Sequence, residues 1–310
     1  QSGILYNATM IRQMITHDDI TQLPKIRFTG FSDIRQMPGA ELIEALADSY
    51  HHVGLDDTIV VTRSNKRANI FNQGIRNMVL DREEELSQGD ILMIVKNNYY
   101  WMEEERKKLS EERRVKSEET EFGGRRESQF NCLANHKVQS SNLKVPSNDI
   151  PAFLANGDRA KVLKVRRRID LYGFRFATLL LQFPDYGNYE LEATVLLDTL
   201  TSEAPALTHE QQEQLFHQIE EDYQDVPLKA DRMKAIRQDQ FYNALQVKFA
   251  YAVTCHKAQG GQWAHVYVDQ GYMTDDMLTP DYIHWLYTAF TRATEMLYLV
   301  NWPETQIETS

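Results

Sequence analysis

Apolar positions recur along this chain at two periods, and the period changes at only a few places. In "ILYNATMIRQMI" (4–15) Ile4, Leu5, Ala8, Ile11 and Ile15 fall at helical spacing, so the chain is expected to enter directly on a helix. With no initiator Met and no strand ahead of it, that start reads as a cut from a longer chain. A second helix is expected over 40–53, framed by Pro38-Gly39 and Gly54. "TIVVT" (58–62) has the β-branched character of a buried strand, and a helix over 64–80 follows it, carrying Ala68, Phe71, Ile75, Met78 and Val79. "DILMIV" (90–95) is a third apolar run. Such alternation of strand and helix predicts a parallel α/β sheet.

The pattern then breaks. Residues 102–128 carry charges of both signs with few apolar anchors, the signature of a solvated helix or an inserted segment. Beyond it, "AKVLKVRRRIDLYGFRFATLLLQFP" and "YELEATVLL" alternate with turn residues between them, which predicts a small antiparallel β unit over 150–200. Residues 208–240 return to helical spacing, with Thr208 as a cap and Leu215, Phe216 and Ile219 on one face. From Val247 the α/β alternation resumes: "VKFAYAV" and "AHVYV" as strands, a helix begun by Thr279-Pro280, and "MLYLV" as the closing strand. The expected division is therefore an α/β domain over 1–97 and 247–310, interrupted by an insertion over 98–246.

Composition narrows the classes. A net charge of −11 argues against coating nucleic acid by bulk electrostatics, so any such site must be local. The basic run Lys161–Arg168 and the cation at Lys257 are the two candidates. Two cysteines, Cys132 and Cys255, make no disulfide framework and no metal-ligand spacing, which fits a reducing cytoplasm. No apolar stretch is long enough to span a bilayer, so no membrane partner is expected. The His51-His52 pair lacks a third ligand nearby, and no metal is expected. A Gly-x-x-x-x-Gly-Lys-Ser/Thr phosphate loop is absent, as are the Gly-x-Gly-x-x-Gly and Gly-x-Ser-x-Gly patterns.

Three cation-bearing segments remain. In "IVVTRSNKRA", Arg63 and Asn65 stand at a strand-to-helix junction, the edge where open α/β sheets bind ligands; Ser64 or Asn65 also suits a plain helix cap. In "YAVTCHKAQGGQW" (251–263), Thr254, His256, Lys257 and Gln259 precede Gly260-Gly261, a pair suited either to a tight turn or to close approach of a ligand. In "WLYTAFTRATEMLYLV", Trp285, Thr288 and Arg292 line up at i, i+3, i+7 beside a buried stripe. Arg292 reads either as a cation at a helix C-terminus or as a planar fork aimed at a phosphate.

Together these segments resemble the C-terminal half of a superfamily 1 DNA helicase, closest to the RecD-like and Pif-like branch. "YAVTCHKAQGGQW" looks like motif V, "LYTAFTRA" like motif VI and "VTRSN" like motif IV. "GDILMIVKNNY" and "ANGDRAKV" resemble the segments that lead into the accessory SH3-like barrel, and "SGILYNATMIR" resembles the helix after motif III. Gln262 stands where the family usually has a glutamate, and Thr62 where a related branch has an aromatic.

The resemblance implies an α/β fold: a RecA-like parallel sheet flanked by helices, the second of two motor domains, interrupted by a barrel-containing insertion. It implies an ATP-dependent 5′ to 3′ helicase in which Arg292 and Arg63 reach the γ-phosphate. Gln259, Gly260 and Gln262 would couple to the nucleotide, while Thr254, His256 and Lys257 would contact single-stranded DNA. ATP and Mg²⁺ would be held chiefly by an N-terminal RecA-like domain of the same polypeptide, and this chain alone is expected to bind neither and to hydrolyse nothing. A helicase-like module that binds a partner without any motor is the second expectation, and a motor attached to a nuclease or relaxase is the third.

Overall fold

The computed structural model describes residues 2–18, 20–123 and 150–309, with side chains on the long charged helix described as far as 115. Five parallel strands form the first sheet, in the order β1 (Ile34–Met37), β10 (Ala293–Val300), β9 (Trp263–Asp269), β2 (Thr58–Thr62) and β8 (Ala252–Thr254). β2 is buried at all five positions, and an unbroken β-branched run suits a strand covered on both faces. Helices α1 (Gly3–Thr16), α2 (Leu42–His52), α3 (Asn65–Gly74) and α8 (Pro280–Phe290) pack around it. On α8 the buried stripe is Tyr282, Ile283, Leu286, Ala289 and Phe290, and Thr279 caps the helix by accepting from the Tyr282 amide at 3.1 Å.

The second sheet is a closed barrel of β3 (Ile91–Ile94), β4 (Arg159–Leu171), β5 (Phe174–Phe183), β6 (Tyr189–Leu196) and β7 (Leu245–Phe249). Closure leaves no strand edge open. α4 (Tyr100–Gly123) leads away from β3. α5 (His209–Asp222), begun by a Thr208–Gln211 capping box, and α6 (Lys229–Arg237) cover one end of the barrel with a small core of Phe174, Phe176, Leu215, Ile219 and Ile236. The α/β class, the flanked parallel sheet and the barrel agree with expectation. The stretch 102–128 is described only through 123, as part of α4, and Cys132 lies outside the described residues.

Several particulars differ from the sequence reading. "DILMIV" does not join the parallel sheet, because β3 pairs antiparallel with β4 and β7 inside the barrel. "VKFAYAV" is two strands: β7 closes the barrel, the chain turns at Ala250 and Tyr251, and β8 enters the parallel sheet beside β2. The barrel therefore extends past the 98–246 range, taking β3 from before residue 98 and β7, which straddles 246/247. A short apolar run is compatible with either sheet, and only its pairing partners decide. β1 has no counterpart in the sequence reading. Leu5 is 68% exposed, and the helix buries Ile4, Ala8 and Ile11 instead. The 64–80 helix ends in a π-helical turn over Ile75–Val79, whose wider pitch rotates Met78 outward and Arg76 inward.

Candidate functional site

Strands β2, β8 and β9 end in register, Thr62 opposite both Thr254 and Asp269, so three chain segments leave the sheet at one carboxyl edge. Ser64 caps α3 by accepting from the Arg67 amide at 3.2 Å, which leaves Arg63 in the gap between strand and helix. The Arg63 guanidinium lies over the rings of Tyr282 (5.4 Å) and Trp285 (6.0 Å) and points Nη1 at Met273 Sδ, 3.1 Å away. A planar cation on aromatic faces is held in place with its outer N–H groups free of any carboxylate. Next to it Arg67 grips buried Asp269 through two bonds of 2.9 Å, which raise the arginine's pKa and fix the end of β9. Arg67 escaped sequence reasoning because its partner is 202 residues away.

From Thr254 the chain makes a single helical turn, α7 (Cys255–Ala258). Cys255 faces inward with its thiol directed at the Trp285 carbonyl, and burial pushes its pKa up to about 11, so it is a packing residue rather than a nucleophile. His256 is exposed, and Lys257 is half-buried with its ammonium bonded to Asn156 Oδ1 of the barrel. Burial lowers the Lys257 pKa.

Gly260 adopts φ +83° with open space around it, so it serves a left-handed turn. Gly261 answers a different demand: a Cβ there would lie 2.3 Å from the Trp263 ring. The tight-turn reading holds at Gly260, while Gly261 is crowded by the chain's own Trp263 ring.

This turn carries the chain from the carboxyl edge of β8 to the amino end of β9, where Arg292 waits. Arg292 follows the last turn of α8 rather than lying on it. Its Nε donates to the Thr288 carbonyl (3.0 Å), Nη1 to the Gly261 carbonyl (2.9 Å) and Nη2 to Thr291 Oγ1 (3.2 Å). Its own carbonyl accepts from the Trp263 amide at 2.9 Å. The helix-end reading and the loop contact coexist, and two of the five guanidinium N–H groups are left over.

The structure gathers some nominated residues and separates others. His256, Lys257, Gln259, Gly260 and Gln262 line one cavity of about 750 Å³ between the turn and the barrel, faced by Asn156 and Arg159. Arg159 stacks its guanidinium 5.9 Å from the Trp263 ring and donates to the Asp56 carbonyl at 2.9 Å, and burial lowers its pKa. Thr254, Arg63 and Arg292 lie outside that cavity. The backbones of Arg63 and Arg292 stand at opposite ends of the strands, one after the carboxyl end of β2 and one before the amino end of β10, while both side chains lie along α8, Arg63 over Tyr282 and Trp285 and Arg292 on the Thr288 carbonyl.

Two cations of the basic run Lys161–Arg168 are engaged by the protein itself. Arg166 meets Glu192 at 3.1 Å, and Arg168 donates to the Leu86 carbonyl at 2.8 Å with Glu84 at 3.6 Å. Lys164 lines a hollow it shares with Asp81, Glu83 and Glu84. Among the described residues no group of three or more His, Cys, Asp or Glu side chains is placed to hold a metal ion, and no helix is long and apolar enough to cross a membrane.

Residues 249–300, the stretch holding Thr254, Lys257, the glycine pair and Arg292, match the UvrD-like helicase C-terminal domain family. Over these residues the chain is similar to the C-terminal half of a superfamily 1 helicase. Among solved structures, the Pif1 helicase from Candida albicans matches at 12% identity and a TM-score of 0.35, covering 82% of this chain and 47% of that one. The chain thus spans about half the length of that helicase. No curated protein matches it.

Proposed function

We propose that this chain is the C-terminal motor half of an ATP-dependent DNA helicase or translocase moving 5′ to 3′. One observation carries the reading: a single turn of eight residues joins Thr254 at one sheet edge to the Gly261 carbonyl that holds Arg292 at the other. A shift of the strand against Thr254, His256 and Lys257 would be felt at Gln259 and Gly260, and through Gly261 at the guanidinium. The two N–H groups of Arg292 left over suit one phosphate oxygen pair, and a cation there offsets charge that develops during phosphoryl transfer. Arg63, seated on its aromatic rings, supplies the second cation when a facing domain closes over both edges. The phosphate loop and the Mg²⁺ ligands belong to that facing N-terminal RecA-like domain, since this sequence has no such loop. Gln262, exposed on the cavity rim, contributes a neutral hydrogen-bonding group where the family usually has a carboxylate.

The test is ATP hydrolysis by the full-length protein with single-stranded DNA present. Arg292→Ala is expected to lower kcat by about three orders of magnitude or more, and a 5′-tailed duplex is expected to be unwound in preference to a 3′-tailed one. ATP turnover by the 310-residue chain alone, abolished by Arg292→Ala, would overturn the assignment of roles. DNA binding by a full-length protein that never turns over ATP would favour the non-motor module.

A further inference from the structure

The insertion carries an outward-facing aromatic pair that the motifs leave without a task. Asn98 and Leu154 form an antiparallel bridge, exchanging backbone hydrogen bonds of 2.9 and 2.8 Å. Their side chains turn inward: Leu154 is fully buried, and the Asn98 amide donates to the Asn243 carbonyl at 2.9 Å. Alternation along an extended backbone sends the neighbouring positions, Tyr99 and Phe153, to the outer face, along with Asn97. Tyr99 and Phe153 stack there with centroids 4.7 Å apart and planes at 27°. Tyr99 remains 53% exposed, with one ring face backed by Phe153 and the other open.

The same edge runs directly to the turn that follows β8. Asn97 Oδ1 accepts from the Asn156 amide at 2.7 Å, and Asn156 Oδ1 accepts from the Lys257 ammonium. Phe153 and Asn156 are three positions apart, and the chain turns over Ala155–Asp158, where the Asp158 amide donates to the Ala155 carbonyl at 3.0 Å. An ammonium, two carboxamides and an exposed aromatic ring are thus linked through successive contacts along this edge. Glu103 in the first turn of α4 follows the aromatic end, so a polyanion's phosphates are favoured on the lysine side and its bases on the ring side.

We propose that Tyr99, backed by Phe153, is a stacking platform for a base of the single strand whose phosphate is held at Lys257. The proposal rests on the helicase reading and extends the strand's path from the parallel sheet onto the insertion. Stacking on an aromatic face tolerates every base, which suits a protein that must pass along any sequence. The partly exposed Phe153 ring stacked behind it positions the Tyr99 ring before the strand arrives, which lowers the ordering cost of binding.

The experiment is fluorescence anisotropy of a labelled oligo-dT with the 310-residue chain, alongside an oligonucleotide of equal length lacking bases. Tyr99→Ala is expected to weaken oligo-dT binding about tenfold, Tyr99→Phe to bind like the original chain, and the abasic strand to bind Tyr99→Ala and the original chain alike. Lys257→Ala is expected to weaken both oligonucleotides and to reduce the salt slope by about 0.7. If Lys257→Ala weakens binding and Tyr99→Ala does not, the platform is overturned and the helicase reading stands. Equal loss by Tyr99→Ala on both oligonucleotides would assign Tyr99 a structural role and also overturn the platform. An original chain that binds neither strand would overturn both.

Discussion

The hydroxyl of Tyr251 donates to Asp90 Oδ1 at 2.7 Å, across 161 residues and at the point where the barrel meets the parallel sheet. Asp90 is fully buried and also accepts from Arg76 (3.1 Å to each oxygen), Arg82 (2.9 Å) and the Ser87 amide (2.7 Å). Tyr251 opens the turn-bearing segment, and its carbonyl accepts from Val60 of β2, while the Ala250 amide donates to Ile91 of β3. One carboxylate therefore locks two sheets that sequence order keeps far apart.

Asp90→Ala is expected to destabilise the chain by about 3–5 kcal/mol, because it strands the buried Arg76 cation without a partner. Tyr251→Phe keeps the ring and removes one buried hydrogen bond, for an expected cost of about 1–2 kcal/mol. Urea denaturation of the two variants checks the order. Equal, small losses would show that the cluster does not hold the junction.

The two glycines of the turn should respond differently. Gly261→Ala forces the Trp263 ring to move, at an expected cost of about 1–3 kcal/mol, and Trp263→Leu in the same chain should recover part of it. Gly260→Ala meets no neighbour and is expected to lose about 1 kcal/mol through its left-handed backbone alone, with no recovery from Trp263→Leu. Melting temperatures of the two single and two double variants decide between strain at a contact and strain in a dihedral.

Arg292 is expected to separate stability from turnover. Arg292→Ala removes bonds to the Thr288 and Gly261 carbonyls of a half-buried side chain, for a stability loss of about 1–2 kcal/mol. ATP turnover in the full-length motor falls far more. Arg292→Lys restores the charge without the fork and is expected to recover less than a tenth of kcat. Recovery of full activity by lysine would show that charge alone suffices.

Lys248 introduces a pH dependence. It is 8% exposed on β7, its ammonium donates to the Thr199 and Ser202 carbonyls, and burial, with a smaller contribution from Lys257, lowers its pKa to about 8. In the unfolded chain the group keeps its usual 10.5. Between these values the unfolded state binds more protons, so stability rises with pH through that window and is lost as pH falls through about 8. Tyrosines whose folded pKa is raised act oppositely above pH 10, so the comparison belongs between pH 8 and 9.5. Over that range Lys248→Met is expected to flatten the rise in denaturation midpoint seen in the original chain. A rise unchanged by the substitution would exclude Lys248 as its source.

Much of this architecture was legible in the residues because it depends on local periodicity. Thr279-Pro280 and Thr208 announced their helices through cap chemistry that needs no tertiary partner, and the buried character of β2 followed from "TIVVT" alone. The nominated site residues were legible as types at strand ends, and five of them do line one cavity. Their mutual distances were not legible, and the backbones of Arg63 and Arg292 proved to stand at opposite ends of the strands with both side chains along α8.

Sequence by itself determined the helices, the apolar runs, the caps and the collinear motifs, since each is set by residues within a turn or two of one another. Tertiary structure alone decided which sheet each run joined, because β3 carries the same unbroken apolar signal as β2 and only pairing distinguishes them. It decided the fate of two cations of the basic run, Arg168 meeting the segment ahead of β3 and Arg166 meeting β6. It also turned Arg76 inward to a carboxylate and gave the two glycines separate reasons to be glycine, one a dihedral and the other a tryptophan ring. Local chemistry selects elements, and long-range contacts select what each side chain meets.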